Sequence, residues 1–119
     1  MTAQIYDQAQ LDALLSLGGT ELRDQFLTDL ERCQTRLSQS LSLAGTEERR
    51  GLDHARHALH ELRGIALTVG AATLTRHCAE AEAFCDMGRL AEVVAKQADI
   101  LAICTDLGAQ IMAHSTELS

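Results

Sequence analysis

The chain contains no proline among its 119 residues. Proline removes a backbone hydrogen-bond donor and its ring clashes inside a helix, so its absence leaves every segment free to be helical. Leu, Ala, Glu, Gln and Arg are abundant, and these side chains lose little rotamer freedom in a helix. The chain has one Tyr, two Phe and no Trp, and no alternating strand pattern competes with the helical one. An all-α fold is therefore predicted.

Glycines divide the helical pattern into segments. Apolar residues recur between them at i, i+3 and i+4, and Asp7 is predicted to cap the first segment. The predicted helices are 7–18, 20–45, 46–70, 71–87 and 89–113, with disorder expected for 115–119. The residues expected to face inward in the fourth helix are Leu74, Cys78, Ala81 and Cys85. Those of the fifth are Leu90, Val93, Val94, Ala98, Leu101, Cys104, Leu107 and Ile111. Short connections between long amphipathic helices indicate antiparallel neighbours. We predict a single domain over 1–119, with its core at about 7–114: an up-down antiparallel four-helix bundle with a short additional N-terminal helix.

The formal net charge of −7 argues against several classes of partner. An acidic surface repels phosphate backbones, and so few aromatic side chains leave little for bases to stack on, so no nucleic acid is expected. The N-terminus is too polar for a signal peptide, and no run of about 18 apolar residues could span a membrane. A cytoplasmic protein that binds no membrane is expected, and we expect a monomer.

The four cysteines are predicted to serve packing. No two of them form a CxxC pair, and nothing in the sequence indicates a secretory context that would favour disulfides. A free cysteine behaves as a small apolar side chain, so burial in the core is expected. These residues are Cys33, Cys78, Cys85 and Cys104.

The third predicted helix has one apolar face, and a projection at 100° per residue shows what lies opposite. The inward positions are Leu52, Ala55, Leu59, Leu62, Ala66 and Val69. The opposite face then carries Asp53, Arg56, His57, His60, Gly64 and Leu67. His60 is therefore predicted to be exposed, with Arg63 one helical turn further along.

The chemistry of this face follows from its residue types. An exposed neutral imidazole is a nucleophile near pH 7, and the Arg63 guanidinium could offset the charge of a phosphoryl group placed on His60. Gly64 costs the helix about 1 kcal/mol relative to alanine. The advantage of a glycine at this position is that no side chain fills the space beside the imidazole, so a partner can approach. Arg56, His57 and Leu67 are predicted to form the surrounding docking surface.

These residues belong to a longer pattern. His60-Glu61-Leu62-Arg63-Gly64, followed by Gly70-Ala71, Leu74, Cys78 and Glu82, resembles the signature of histidine-containing phosphotransfer (HPt) domains. That signature reads H-x-L-[KR]-G, five residues, then G-A-x-x-L-x-x-x-C-x-x-x-E. The match spans about 23 residues, and the predicted helix layout fits the rest of the chain. Leu59, Ile65, Leu67 and Ala81 depart from the residues common in the family and bear on partner choice.

The resemblance implies a phosphorelay intermediate of a two-component system, of the stand-alone type. His60 would accept a phosphoryl group from a receiver-domain aspartate and pass it to another receiver domain. Arg63 would be its charge partner, and Gly64 would keep access open. The implied partners are response-regulator receiver domains and a (hybrid) histidine kinase. Such a protein is a phosphocarrier, not an enzyme, and needs no cofactor. The alternative is a degenerate HPt-like bundle that docks receivers or kinases without carrying phosphate.

A metal site and a hydrolase are the competing hypotheses. His54, His57 and His60 are spaced at i, i+3 and i+6, which suggests a metal site, but the first and last diverge by about 120° around the helix and no acidic ligand completes a set. We therefore expect no metal. A hydrolase would need a carboxylate pair or a nucleophile–base pair, and none can be assigned across the helices.

Overall fold

The computed structural model describes residues 5–118, with side chains described for residues 5–114. It contains four α-helices: α1 (Gln8–Ala44), α2 (Glu48–Thr68), α3 (Ala72–Asp86) and α4 (Leu90–Leu118). No strand occurs within residues 5–118. The all-α prediction is confirmed.

The predicted short N-terminal helix corresponds to the first part of α1. Two helical segments of α1 meet at a kink at Gly19, where the backbone leaves the helical conformation with φ 59° and ψ −149°. Positive φ is a region that glycine enters without the steric cost borne by other residues. The glycine pair therefore interrupts the helix where the sequence predicts, and the second predicted helix follows directly as the remainder of α1. The predicted cap at Asp7 is confirmed, because its carboxylate accepts a hydrogen bond from the Gln10 backbone N–H at 3.0 Å.

The start of α1 closes one end of the bundle. The Gln10 side-chain amide donates to the carbonyls of Leu67 and Thr68, at 2.8 and 2.9 Å, which satisfies acceptors at the end of α2. Gly70 follows with φ 67°, and a Cβ there would lie 2.4 Å from the Cβ of Asp7. Near the other terminus, the buried ring of His114 contacts the Asp12 carboxylate at 2.5 Å.

Each helix packs against its neighbours in an up-down arrangement. α1 contacts α2 and α4, and α3 also contacts α2 and α4, so α2 and α4 lie diagonally across the bundle. The whole predicted inward stripe of α2 is buried. The predicted inward residues of α3 are buried as well: Leu74, Cys78, Ala81 and Cys85.

The prediction for α4 was partly wrong. Val94 and Ala98 were expected to face inward but are exposed, whereas Ile100, which was not predicted, is fully buried. At 100° per residue, the six alanines of this helix fall on one side and are exposed, and the predicted stripe extended toward that side instead of centring on Val93, Ile100 and Leu107. The helix also continues to Leu118 instead of ending near residue 113, so the disorder expected for 115–119 is wrong as far as Leu118, and Ser119 lies outside the described residues.

All four cysteines are free and buried. Burial raises the pKa of the Cys78 and Cys104 thiols to about 12 and that of Cys33 and Cys85 to about 11. The thiols are therefore protonated at neutral pH, as packing residues would be. None of the helices in the described part of the chain combines the length and apolar character needed to cross a bilayer.

Candidate functional site

His60 lies in the middle of α2, on the face that points away from the core. Its side chain is 66% exposed, whereas Leu59 and Leu62 on either side are buried. The amphipathic pattern of α2 therefore holds the imidazole in solvent, as predicted. A helix interior is a rigid support, so the ring has a defined position relative to α1 and α3.

Glu82 of α3 orients the imidazole ring. Its Oε1 lies 3.0 Å from Nδ1 of His60, and the carboxylate is largely buried, with its side chain 12% exposed. An ionised carboxylate only accepts hydrogen bonds, so this contact requires the His60 proton on Nδ1. The lone pair of the neutral ring is then on Nε2. The pairing therefore selects the tautomer in which the nucleophilic nitrogen is Nε2.

Arg63 completes this network. Its Nε lies 2.8 Å from Oε2 of Glu82, at ion-pair distance but without the alignment of a hydrogen bond. One of its amino groups also lies 3.0 Å from Nδ1 of His60. With the His60 proton on Nδ1, that nitrogen cannot accept from Arg63. We therefore assign Arg63 as the counter-ion of Glu82, beside the imidazole.

Nothing in the structure requires a glycine at position 64. Its φ is not positive, and a Cβ built on it would meet no atom within 4 Å outside its own helix turn. An alanine would therefore fit the isolated protein and favour the helix. The absence of a side chain leaves open space one turn from His60. Leu67, one turn further along the same face, is 58% exposed.

Two arginines of α1 hold the residue next to His60. The Glu61 carboxylate accepts from Arg32 at 2.5 Å through one oxygen and from Arg36 at 2.6 Å through the other. These contacts tie α1 to α2 at the level of the imidazole. They also direct the Glu61 carboxylate toward α1, away from the outward face.

The other predicted docking residues lie on the same face, toward the start of α2. Arg56 is 3.6 Å from the carboxylate of Asp86 on α3, and one of its amino groups is 3.2 Å from Nε2 of His57. His57 is exposed and has no contact with His60 in this network. The structure therefore brings His60, Arg63 and Gly64 together, with Arg56 and His57 one turn before them and Leu67 beyond them.

The histidines do not gather around a common point. Among the side chains of residues 5–114, no three His, Cys, Asp or Glu residues are placed to hold one metal ion. His77 lies on α3, where its Nδ1 is 3.1 Å from the Lys96 amino group of α4.

Glu82 is the residue to which the sequence assigned no role. It closes the family-like pattern, four residues after Cys78 on α3, but it is 22 residues from His60 in the chain. The pattern itself was the available signal, since an acidic residue at a fixed place on the neighbouring helix suggests a partner for the imidazole. The contact became visible once α2 and α3 were packed together.

Comparison with known proteins gives one family. A model described as the Hpt domain matches residues 21–111, which run from just after the kink in α1 into α4 and include His60 and Glu82. No curated protein and no solved structure matches the chain.

Proposed function

Because the chain belongs to the Hpt domain family, we propose that His60 carries the phosphoryl group of a phosphorelay. Hpt domains act in phosphorelay signalling as phosphocarrier modules rather than catalysts, and they interact with receiver domains and histidine kinases. The observation that carries the assignment to His60 is its contact with Glu82. That contact leaves the Nε2 lone pair of an exposed imidazole directed at solvent.

The transfer step can be written on these atoms. Nε2 of His60 attacks the phosphorus of an aspartyl phosphate on a receiver domain, the N–P bond forms, and the P–O bond to the aspartate breaks. The aspartate carboxylate leaves with the bonding electron pair. The imidazole keeps its Nδ1 proton and gains positive charge, which the Glu82 carboxylate at 3.0 Å offsets. The step therefore needs no proton transfer, and the reverse reaction delivers the phosphoryl group to a second receiver.

Arg63 and Gly64 support the step from the outward face. A phosphoryl group on Nε2 adds negative charge beside the Arg63 guanidinium, which is about one-third exposed and could turn toward it. Gly64 leaves the space through which the receiver's aspartate approaches. Arg56, His57 and Leu67 surround this opening as the docking surface, and Leu67 supplies an exposed apolar contact. We expect a cytoplasmic monomer that serves response-regulator receiver domains and a (hybrid) histidine kinase.

A transfer assay tests this function. Receiver domains encoded in the same genome are phosphorylated with acetyl phosphate and mixed with the protein. Acid-labile, base-stable phosphate should then appear on the wild-type chain. His60→Gln should carry none, whereas the matched control His54→Gln, an exposed histidine of the same helix outside the docking surface, should be labelled like wild type.

The outcomes separate the alternatives. Phosphate that persists on His60→Gln would show that another residue is the acceptor. A wild-type protein that binds receivers but is never labelled, even by the small donor phosphoramidate, would identify a docking bundle that does not carry phosphate.

A further inference from the structure

A cleft opens beside the proposed docking surface, between the first two turns of α2 and the end of α3. Its volume is about 530 Å³. Leu52, Cys85 and the exposed Met87 give it apolar walls, and its rim carries charged side chains from both helices. We call it the α2–α3 cleft.

The cleft lies within the area that a partner at His60 would cover. Asp53, on its rim, precedes His60 by seven residues, which places it on the same face of α2 and roughly 10 Å along the helix axis. Asp86, on the opposite wall, is one turn from Glu82 on α3. A standard protein interface buries about 800 Å² on each partner, a patch that extends roughly 15 Å from its centre. A receiver centred on His60 would therefore reach the cleft.

The charge of the cleft favours a cation. Its lining includes the carboxylates of Glu48, Asp53 and Asp86 and the guanidinium of Arg49. The Asp86 carboxylate already has Arg56 at 3.6 Å, so Asp53 is the carboxylate of the rim on which the preference depends. Within residues 5–114, Asp53 makes no hydrogen bond or ion pair, so its carboxylate is available.

The helix ends add to this preference. The first turn of α2 is already balanced by the acidic Glu48, but the last turn of α3 contains no basic residue. The C-terminal end of a helix carries partial negative charge that basic groups stabilise. This end of α3 therefore has no cation from its own last turn.

The shape of the cleft favours an elongated, positively charged side chain over a metal ion. The carboxylates are distributed along the rim, and no three acidic, histidine or cysteine side chains in the described part of the chain converge on a point. A lysine or arginine side chain has an apolar stem, which would lie against Leu52 and Met87, and a charged head, which would reach Asp53.

We propose that the α2–α3 cleft receives a lysine or arginine side chain from the docking surface of the receiver domain that exchanges phosphate with His60. The proposal rests on the proposed function and extends it, because it names a second contact that selects the partner. Receivers with a basic residue at this distance from their phosphorylated aspartate are favoured. Receivers with an acidic residue there are repelled.

A charge reversal at the rim tests the proposal. Asp53→Lys should slow transfer from the phosphorylated receiver roughly tenfold at low salt, because a like charge then faces the incoming side chain. The matched control is Asp99→Lys, the same charge change at an exposed position on α4, diagonally across the bundle; its transfer rate should stay close to that of wild type. Added salt should slow the wild type and speed Asp53→Lys, because screening weakens the attraction in one protein and the repulsion in the other.

Labelling with phosphoramidate separates docking from chemistry, because this donor needs no protein interface. Its rate at His60 should be the same in wild type and in both lysine variants, and circular dichroism should show equal helix content. Equal transfer rates for Asp53→Lys and Asp99→Lys would overturn the cleft proposal alone. If no receiver phosphorylates wild-type protein, the proposed function fails and the cleft proposal fails with it.

Discussion

The outward face of α2 and the core behind it hold two kinds of nucleophilic side chain in opposite surroundings. His60 is two-thirds exposed and is oriented by a carboxylate, whereas the thiols of Cys33, Cys78 and Cys104 are fully buried. By residue type a thiolate is the stronger nucleophile. Burial keeps these thiols protonated, with a pKa of about 11 to 12. Environment, more than residue type, therefore decides which of these groups can react.

The largest effect is expected from the buried thiols when the pH is raised. Burial raises the pKa of Cys78 to about 12 from a reference of 9.0. Between pH 9 and 11 the unfolded chain therefore loses thiol protons that the folded chain retains, so the free energy of unfolding falls as pH rises. The contribution is fully present below pH 9. Each buried thiol should account for about 1.4 kcal/mol per pH unit.

Urea unfolding measured at several pH values between 8 and 11 gives this slope. Cys78→Ala should make it shallower by the share of one thiol, whatever the variant costs in packing at neutral pH. An unchanged slope in Cys78→Ala would mean that this thiol ionises as easily in the folded protein as in the unfolded one.

The second largest effect is expected at the exposed His60, when its partner Glu82 is replaced. Glu82→Ala removes the acceptor that keeps the His60 proton on Nδ1 and offsets the positive charge on the ring. Labelling of His60 by phosphoramidate should slow roughly ten- to a hundredfold, which corresponds to the 1.5–3 kcal/mol of a hydrogen bond to a charged group. Glu82→Gln keeps a hydrogen-bond acceptor without the charge, so its labelling rate should lie between those of wild type and Glu82→Ala. Equal rates in all three proteins would remove Glu82 from the mechanism.

The inward face of α2 can be disturbed without touching His60. A Cβ on Gly51 would lie 2.3 Å from the backbone nitrogen of Ala44, so α1 and α2 would have to move apart. Gly51→Ala should lower the free energy of unfolding by about 1–3 kcal/mol, measured with urea. Its phosphoramidate labelling below the unfolding transition should match wild type, and a large loss there would show that the site depends on this contact.

A smaller effect compares two exposed apolar residues. Leu67 on α2 and Val94 on α4 are 58% and 48% exposed, on diagonal helices. Leu67→Ser should slow transfer from a receiver severalfold, by roughly 1 kcal/mol of lost apolar contact, whereas Val94→Ser should not. Similar transfer rates in the two variants would show that the receiver does not bind over Leu67.

The smallest effect concerns Gly64. Gly64→Ala should raise the free energy of unfolding by about 0.5–1 kcal/mol, because alanine is the better helix former and its Cβ meets nothing. Transfer from the receiver should nevertheless slow, while phosphoramidate labelling stays unchanged. A variant that is more stable and equally fast with the receiver would show that clearance at Gly64 is not needed.

Prediction from sequence succeeded where one helix face is clearly apolar. The stripe of α2 and the exposure of His60 follow from periodicity alone, because the polar face of an amphipathic helix remains in solvent. It failed in α4, where Val94 and Ala98 were placed inward. The alanines of that helix lie together on one side, where they remain exposed, and packing against α1 and α3 buries the opposite side, which carries Val93, Ile100 and Leu107.

Some features of the site follow from a single helix, and others depend on how the helices pack. An all-helical chain, an exposed His60 with Arg63 beside it, and a glycine that nothing in its own helix requires can all be predicted without the structure. Local spacing fixes these features, because residues within one helix keep a constant geometry. Tertiary structure alone decided that Glu82 meets Nδ1 of His60 at 3.0 Å, that Arg32 and Arg36 hold Glu61, and that a cleft opens beside Asp53. Those relations join residues of different helices, and their distances depend on how the helices pack.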